Sequence, residues 1–109
     1  MNLKKIVQGT IIKVDPNPIK GTEQGNYRPH VVISNNVYNS LSSLRILVPI
    51  SQTGGFILDK KLIGTKTRGY VKCQHIKTLD LNARKFQFVE TLDNDFIEEV
   101  KKLIKENID

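Results

Sequence analysis

Apolar positions recur along this chain in two rhythms. Up to Val89 they come in short β-branched or alternating runs. Thr10–Val14, His30–Ser34, Leu44–Ile50, Phe56–Lys60, Gly69–Gln74 and Lys85–Val89 have the length and period of strands. Asp15-Pro16-Asn17-Pro18 ends the first run, since proline cannot donate to a ladder and Asp and Asn favour turns. Asn35-Asn36 can cap a short helical turn through Val37-Tyr38-Asn39. Leu44–Ile50 is apolar around Arg45 and reads as a buried strand. Beyond Thr91 the rhythm changes. Phe96, Ile97, Val100, Leu103, Ile104 and Ile108 recur at helical spacing. Asp93 is the expected N-cap, Asp95 and Glu98 suit the positive end of the dipole, and Lys101, Lys102 and Lys105 suit the other. Five or six strands and one helix predict a mainly β fold with α: an SH3-like small barrel or curled antiparallel sheet against a C-terminal helix.

At 109 residues the expectation is one domain, 1–109, of a size that oligomerisation often helps. No apolar run approaches the length of a membrane span, and the basic start has no apolar h-region after it, so no signal peptide is expected. One cysteine, Cys73, makes no internal disulfide and suits a reducing cytoplasm. Placed in a strand with no evident base partner, it reads as packing rather than a nucleophile.

The net charge of +6 is unevenly spread. Lys60, Lys61, Lys66, Arg68, Lys72, Lys77, Arg84 and Lys85 form a block opposed by Asp80 alone, and the region from Glu90 onward is rich in acid. The block fits a polyanion-binding surface, but charge alone favours a basic protein with no such partner.

Candidate chemistry gathers where the polar loop Ile19–Pro29 enters the second strand. An arginine there, Arg28, can grip a phosphate through two parallel N–H bonds. The run Lys20-Gly21-Thr22-Glu23-Gln24-Gly25-Asn26-Tyr27-Arg28-Pro29-His30-Val31-Val32-Ile33-Ser34-Asn35 resembles the signature of the MazF/PemK (Kid) family of toxin endoribonucleases. Leu47-Val48-Pro49-Ile50-Ser51, Gly54-Gly55-Phe56, Gly69–Gln74 and Ile76–Asp80 resemble further family blocks in the right order, over nearly the whole chain.

The resemblance implies the same fold and a toxin of a type II toxin–antitoxin system. It implies metal-independent cleavage of single-stranded RNA at short preferred sequences, with no cofactor. In such cleavage the 2′-hydroxyl attacks its own phosphate, leaving a 2′,3′-cyclic phosphate and a 5′-hydroxyl. It also implies a homodimer, part of whose interface Val37, Tyr38 and Leu41 could supply, and an acidic, partly disordered antitoxin laid across the RNA site.

By the same resemblance, Arg28 matches the family's catalytic arginine and Ser51 the hydroxyl-bearing threonine. Arg28 is assigned to stabilising charge on phosphorus, with a second role as acid to the leaving 5′-oxygen left open. Ser51 is assigned to holding a phosphate oxygen. The alternatives from the residues alone are a surface ion pair of Arg28 with Glu23 and a turn-capping Ser51. The Kid branch uses further acid–base groups where this chain has Thr10, Thr22, Lys72 and Gln74. Of that set only a cation, at Lys72, survives. RNA contacts are expected from Lys20, Gln24, Thr53, Lys72, Gln74 and Lys77. Tyr27 or Phe56 could offer a stacking face, although seven aromatics are few and Phe56 is expected in the core. His75 carries an imidazole, but as the next residue along a strand it is expected on the face opposite Gln74. His30 reads as structural.

Two other readings remain open at this point. One is a catalytically weakened homologue that binds RNA or antitoxin. The other is a non-enzymatic toxin with a protein target, as in the CcdB-related gyrase poisons. Their Trp-Gly-Ile tail has no counterpart here, since the chain lacks Trp and ends Glu-Asn-Ile-Asp.

Overall fold

The computed structural model describes residues 3–17 and 27–108. Its strands are β1 (Thr10–Val14), β2 (Arg28–Val32), β3 (Leu44–Ser51), β4 (Asp59–Lys61), β5 (Tyr70–Lys72), β6 (Lys77–Asp80) and β7 (Phe86–Thr91). Two helices, α1 (Asn36–Leu41) and α2 (Asn94–Ile108), and a 3-10 turn over Leu3–Lys5 complete it. The strands form one antiparallel sheet in the order β4-β5-β3-β2-β1-β7, with β6 also paired to β3. This is the predicted mainly β fold with a C-terminal helix.

The eight-residue β3 is the spine. It pairs with β2 along one edge. On the other edge its first half pairs with β6 and its end with β5. Alternation then sorts side chains onto two faces. Val31, Val48, Ile50 and Val71 join Ile97, Val100 and Ile104 of α2 in one core. Val32, Leu47, Ile12, Val14 and Leu79 form a second core on the opposite face. Fully burying side chains of this kind stabilises by about 1.5–3 kcal/mol each.

Both predicted caps are present. Asn35 Oδ1 accepts from Tyr38 N at 2.8 Å, and Asp93 Oδ1 accepts from Phe96 N at 2.8 Å. Arg45 is fully buried on the second face, where burial lowers its pKa. Its guanidinium donates to the carbonyls of Ile6, Ser42, Leu44 and Leu3 at 2.7–3.2 Å. It ties the N-terminal turn to the start of β3.

Four strand expectations change. β2 begins at Arg28 and ends at Val32, because Ile33 and Ser34 both turn their N–H groups to Ile46 O. Phe56–Leu58 is not strand: the Asp59 carboxylate captures Phe56 N at 3.0 Å and Asp59 N bonds Phe56 O, closing a turn. That leaves β4 only Asp59–Lys61, and it leaves Phe56 54% exposed rather than in the core. β5 stops at Lys72, where His75 N bonds Lys72 O at 3.0 Å. β6 has no counterpart among the predicted strands; its burial pattern offers one buried side chain, Leu79, in four positions.

Candidate active site

The register places the site. His30 stands opposite Pro49 and Val32 opposite Leu47. Two further steps bring Arg28 level with Ser51, on the same sheet face. Across the other edge Ile50 meets Val71 and Ser51 meets Tyr70, so Lys72 lies level with Pro49 on that face too. Level side chains in antiparallel strands sit about 5 Å apart at Cβ. The three polar groups line one open cleft of about 780 Å³, together with Tyr27, Pro29, Pro49, Ile50, Gln52, Thr53 and His75.

Arg28 is exposed at the mouth of β2. Among the described residues no acidic side chain pairs with it; Glu23 lies outside them. Its carbonyl lies 2.9 Å from Nδ1 of His30, which is fully buried. Burial lowers the His30 pKa, and the charges of Lys77 and Arg28 act the same way, against the opposing effect of that carbonyl. His30 is structural, as expected. Its buried Nε2 has no partner among the described residues.

Ser51 is half-buried at the end of β3. Its Oγ accepts from Thr53 N at 3.1 Å, the turn-capping contact that the residues alone allowed. An accepting hydroxyl still has its proton to donate, so the cap leaves Ser51 a donor toward the cleft. Two glycines hold the neighbouring backbone. A Cβ on Gly69, at φ +128, would stand 2.4 Å from Ser51 O. A Cβ on Gly54 would strike the Tyr70 ring.

Lys72 is not a free cation. Its Nζ lies 2.7 Å from Asp59 Oδ2, and the side chains are 16% and 1% exposed. Burial alone would raise the Asp59 pKa. The bonds from Lys72 and Phe56 N, the Lys72 charge and the Gln74 amide together outweigh it and hold the carboxyl below its ordinary range. Asp59, a strand residue as expected, thus fixes one cleft wall, a role that strand periodicity does not signal. Its signal was modest: a lone acid amid the basic block's approach, three residues after an aromatic. Lys60 is likewise paired, with Glu99 at 2.8 Å. Part of the basic block therefore neutralises acids of the same chain.

The other expected contacts divide. Thr53 lines the cleft. Gln74 does not; it faces Asp59, and its Oε1 is buried without a hydrogen bond. Lys77 lies on β6 near His30, outside the lining. Lys20, Gln24 and Thr22 fall outside the described residues. Thr10 is fully buried, its Oγ1 accepting from Val7 N. Tyr27 lines the cleft and is 38% exposed. Cys73 is buried, and burial, with the Asp59 charge, pushes its thiol up to about 11, so it stays protonated.

His75 and Gln74 do point apart, but it is His75 and not Gln74 that reaches the cleft. Because β5 ends at Lys72, alternation does not carry through Cys73 and Gln74. The turn brings an exposed His75 to the cleft beside Lys72, and directs Gln74 inward. Among the described residues no cluster of three or more His, Cys, Asp or Glu side chains could hold a metal. No helix there is long and apolar enough to cross a membrane.

The chain is similar to known proteins. Endoribonuclease PemK of Escherichia coli is 28% identical over 99 residues, covering 85% of this chain and 74% of its own. Endoribonuclease toxin MazF of Escherichia coli K12 is 34% identical over 77 residues, covering 70% and 69%. A Deinococcus radiodurans MazE-MazF crystal structure superposes with a TM-score of 0.80 at 24% identity, over 94% of each chain. A mycobacterial endoribonuclease in complex with its cognate antitoxin gives 0.76 at 15% identity, covering 94% and 93%. These two share the fold. The family model for the PemK-like, MazF-like toxin of type II toxin–antitoxin systems matches residues 7–108, and the chain belongs to that family.

Proposed function

We propose that this chain is a single-domain toxin endoribonuclease that cleaves single-stranded RNA within the Arg28–Ser51 cleft. One observation carries the reading: Arg28 and Ser51 come from different strands and line one open cleft on the same sheet face. A guanidinium presents donors in a fixed fork that matches phosphate oxygens. The Ser51 hydroxyl adds a donor beside it. Donors preorganised toward charge developing on phosphorus accelerate such reactions by about 10²–10³ each. The attacking group is the RNA's own 2′-hydroxyl. The products are a 2′,3′-cyclic phosphate and a free 5′-hydroxyl, and no metal takes part. Tyr27 offers a face for a neighbouring unpaired base, and Thr53 a hydrogen bond to it.

The toxin works in the cytoplasm as a homodimer. Val37 and Leu41 stand four residues apart on one side of α1, 71% and 81% exposed, and supply part of the contact. An acidic antitoxin segment inhibits it by occupying the cleft, where Arg28 offers a cation.

The test is incubation of the purified chain with a long single-stranded RNA in EDTA, followed by end-group analysis. Fragments with cyclic phosphate and 5′-hydroxyl ends are expected, and a 2′-deoxy substitution at the cut site is expected to block cleavage. Intact RNA that is nonetheless tightly bound would replace this reading with that of a non-cutting homologue.

A further inference from the structure

Attack by a 2′-hydroxyl needs a group that accepts its proton. The residues that fix the phosphate cannot do this. A guanidinium stays protonated in proteins, which excludes Arg28. A serine hydroxyl is no base at neutral pH, and Ser51 Oγ already accepts from Thr53 N. The Lys72 amine donates to Asp59. The Asp59 carboxylate is 1% exposed behind Lys72, with Oδ2 shared between Lys72 Nζ and Phe56 N. Among the described residues no carboxylate lines the cleft.

His75 does line it. It is exposed, and it is held at the cleft by the turn that ends β5, whose His75 N–Lys72 O bond fixes its backbone. The groups that face it across the cleft are Tyr27 and Arg28 at the start of β2, Lys72 on β5, and the uncharged Ser51, Gln52 and Thr53 at the end of β3. Imidazole is the side chain whose neutral and charged forms interchange around physiological pH.

We propose that His75 is the general base of this cleft, an inference that rests on the ribonuclease reading above. The neutral imidazole takes the proton as the 2′-oxygen–phosphorus bond forms. The phosphorus–5′-oxygen bond breaks, its electron pair leaves on the 5′-oxygen, and that oxygen takes a proton from water in the open cleft. The imidazolium then returns its proton to the hydroxide so formed. Arg28 and Ser51 hold the non-bridging oxygens throughout. The division of labour is spatial: phosphate donors come from β2 and β3, and the base from the turn after β5.

The experiment is single-turnover cleavage in EDTA between about pH 5 and 9, for the native chain, His75→Gln, His75→Ala with and without free imidazole, and Arg28→Ala. Binding is measured in parallel with an uncleavable 2′-O-methyl oligonucleotide. The native rate is expected to rise with pH and level off. His75→Gln should lose about 10²–10⁴ in rate and lose the pH inflection, with binding little changed. Free imidazole should restore part of the His75→Ala rate. Three results would overturn the proposal. If the native chain and His75→Gln cleave alike while Arg28→Ala is inactive, the base assignment fails and the ribonuclease reading stands. If His75→Gln loses binding as much as rate, His75 is an RNA contact. If the native chain cleaves no RNA at any pH, both readings fall together.

Discussion

At the scale of single residues, the cleft depends on side chains that never reach it. His30 is the clearest. It is sealed in the sheet, contacts the Arg28 carbonyl and carries a pKa lowered by burial. As pH falls past the unfolded-chain value of about 6.5, the unfolded state takes up a proton that the folded state refuses. The stability is therefore complete above that value and declines below it, by at most about 1.4 kcal/mol per pH unit, until native His30 itself is protonated. Thermal melts should show a lower Tm at pH 5 than at pH 7, and His30→Leu should shrink the difference. An unchanged difference in His30→Leu would place the pH dependence elsewhere. Asp59 acts in a lower window. Its depressed carboxyl contributes stability that is present above the ordinary carboxylate range and is lost as pH falls through its native pKa.

At the scale of elements, the site is made by where strands stop. β3 stops at Ser51 and β5 at Lys72, and each stop places a polar group on the cleft. Gly69, just before β5 begins, lets that strand approach the end of β3 at Ser51, and this can be tested. Gly69→Ala would push a Cβ against the Ser51 carbonyl at a backbone angle that side chains avoid. It should cost about 1–3 kcal/mol in chemical denaturation and reduce RNA cleavage. Gly64→Ala, also at positive φ but in open space, should leave cleavage intact. Equal effects on cleavage would remove the Gly69–Ser51 contact from the account. The sequence made much of this plan legible. β1, β3, α1 and α2 follow from periodicity and capping chemistry. Arg28 and Ser51 were readable because their neighbours make a recognisable loop and strand end. The failures share a cause. Phe56–Leu58 and Cys73–His75 have β composition, but a carboxylate and a backbone hydrogen bond turn each into a loop. Such capture depends on tertiary position and leaves no periodic trace, so the role of the Asp59 carboxylate and the approach of His75 to the cleft were missed together.

At the scale of the whole molecule, net charge overstated the binding surface. Lys60 and Lys72 answer Glu99 and Asp59, and Arg84 donates to the carbonyls of Asp15 and Asn17 at the end of β1. The positive charge most exposed to a ligand in the cleft is Arg28. One face of the sheet is closed by α2, the other is filled by the second core, and the cleft opens at its end. The account therefore concentrates its chemistry on one guanidinium beside one hydroxyl. The most direct measurement is the single-turnover rate on a defined RNA for the native chain and for Arg28→Ala, with matched circular dichroism spectra. The account predicts that Arg28→Ala keeps the fold and loses about 10²–10³ or more in rate. A folded Arg28→Ala protein that cleaves at close to the native rate would contradict it.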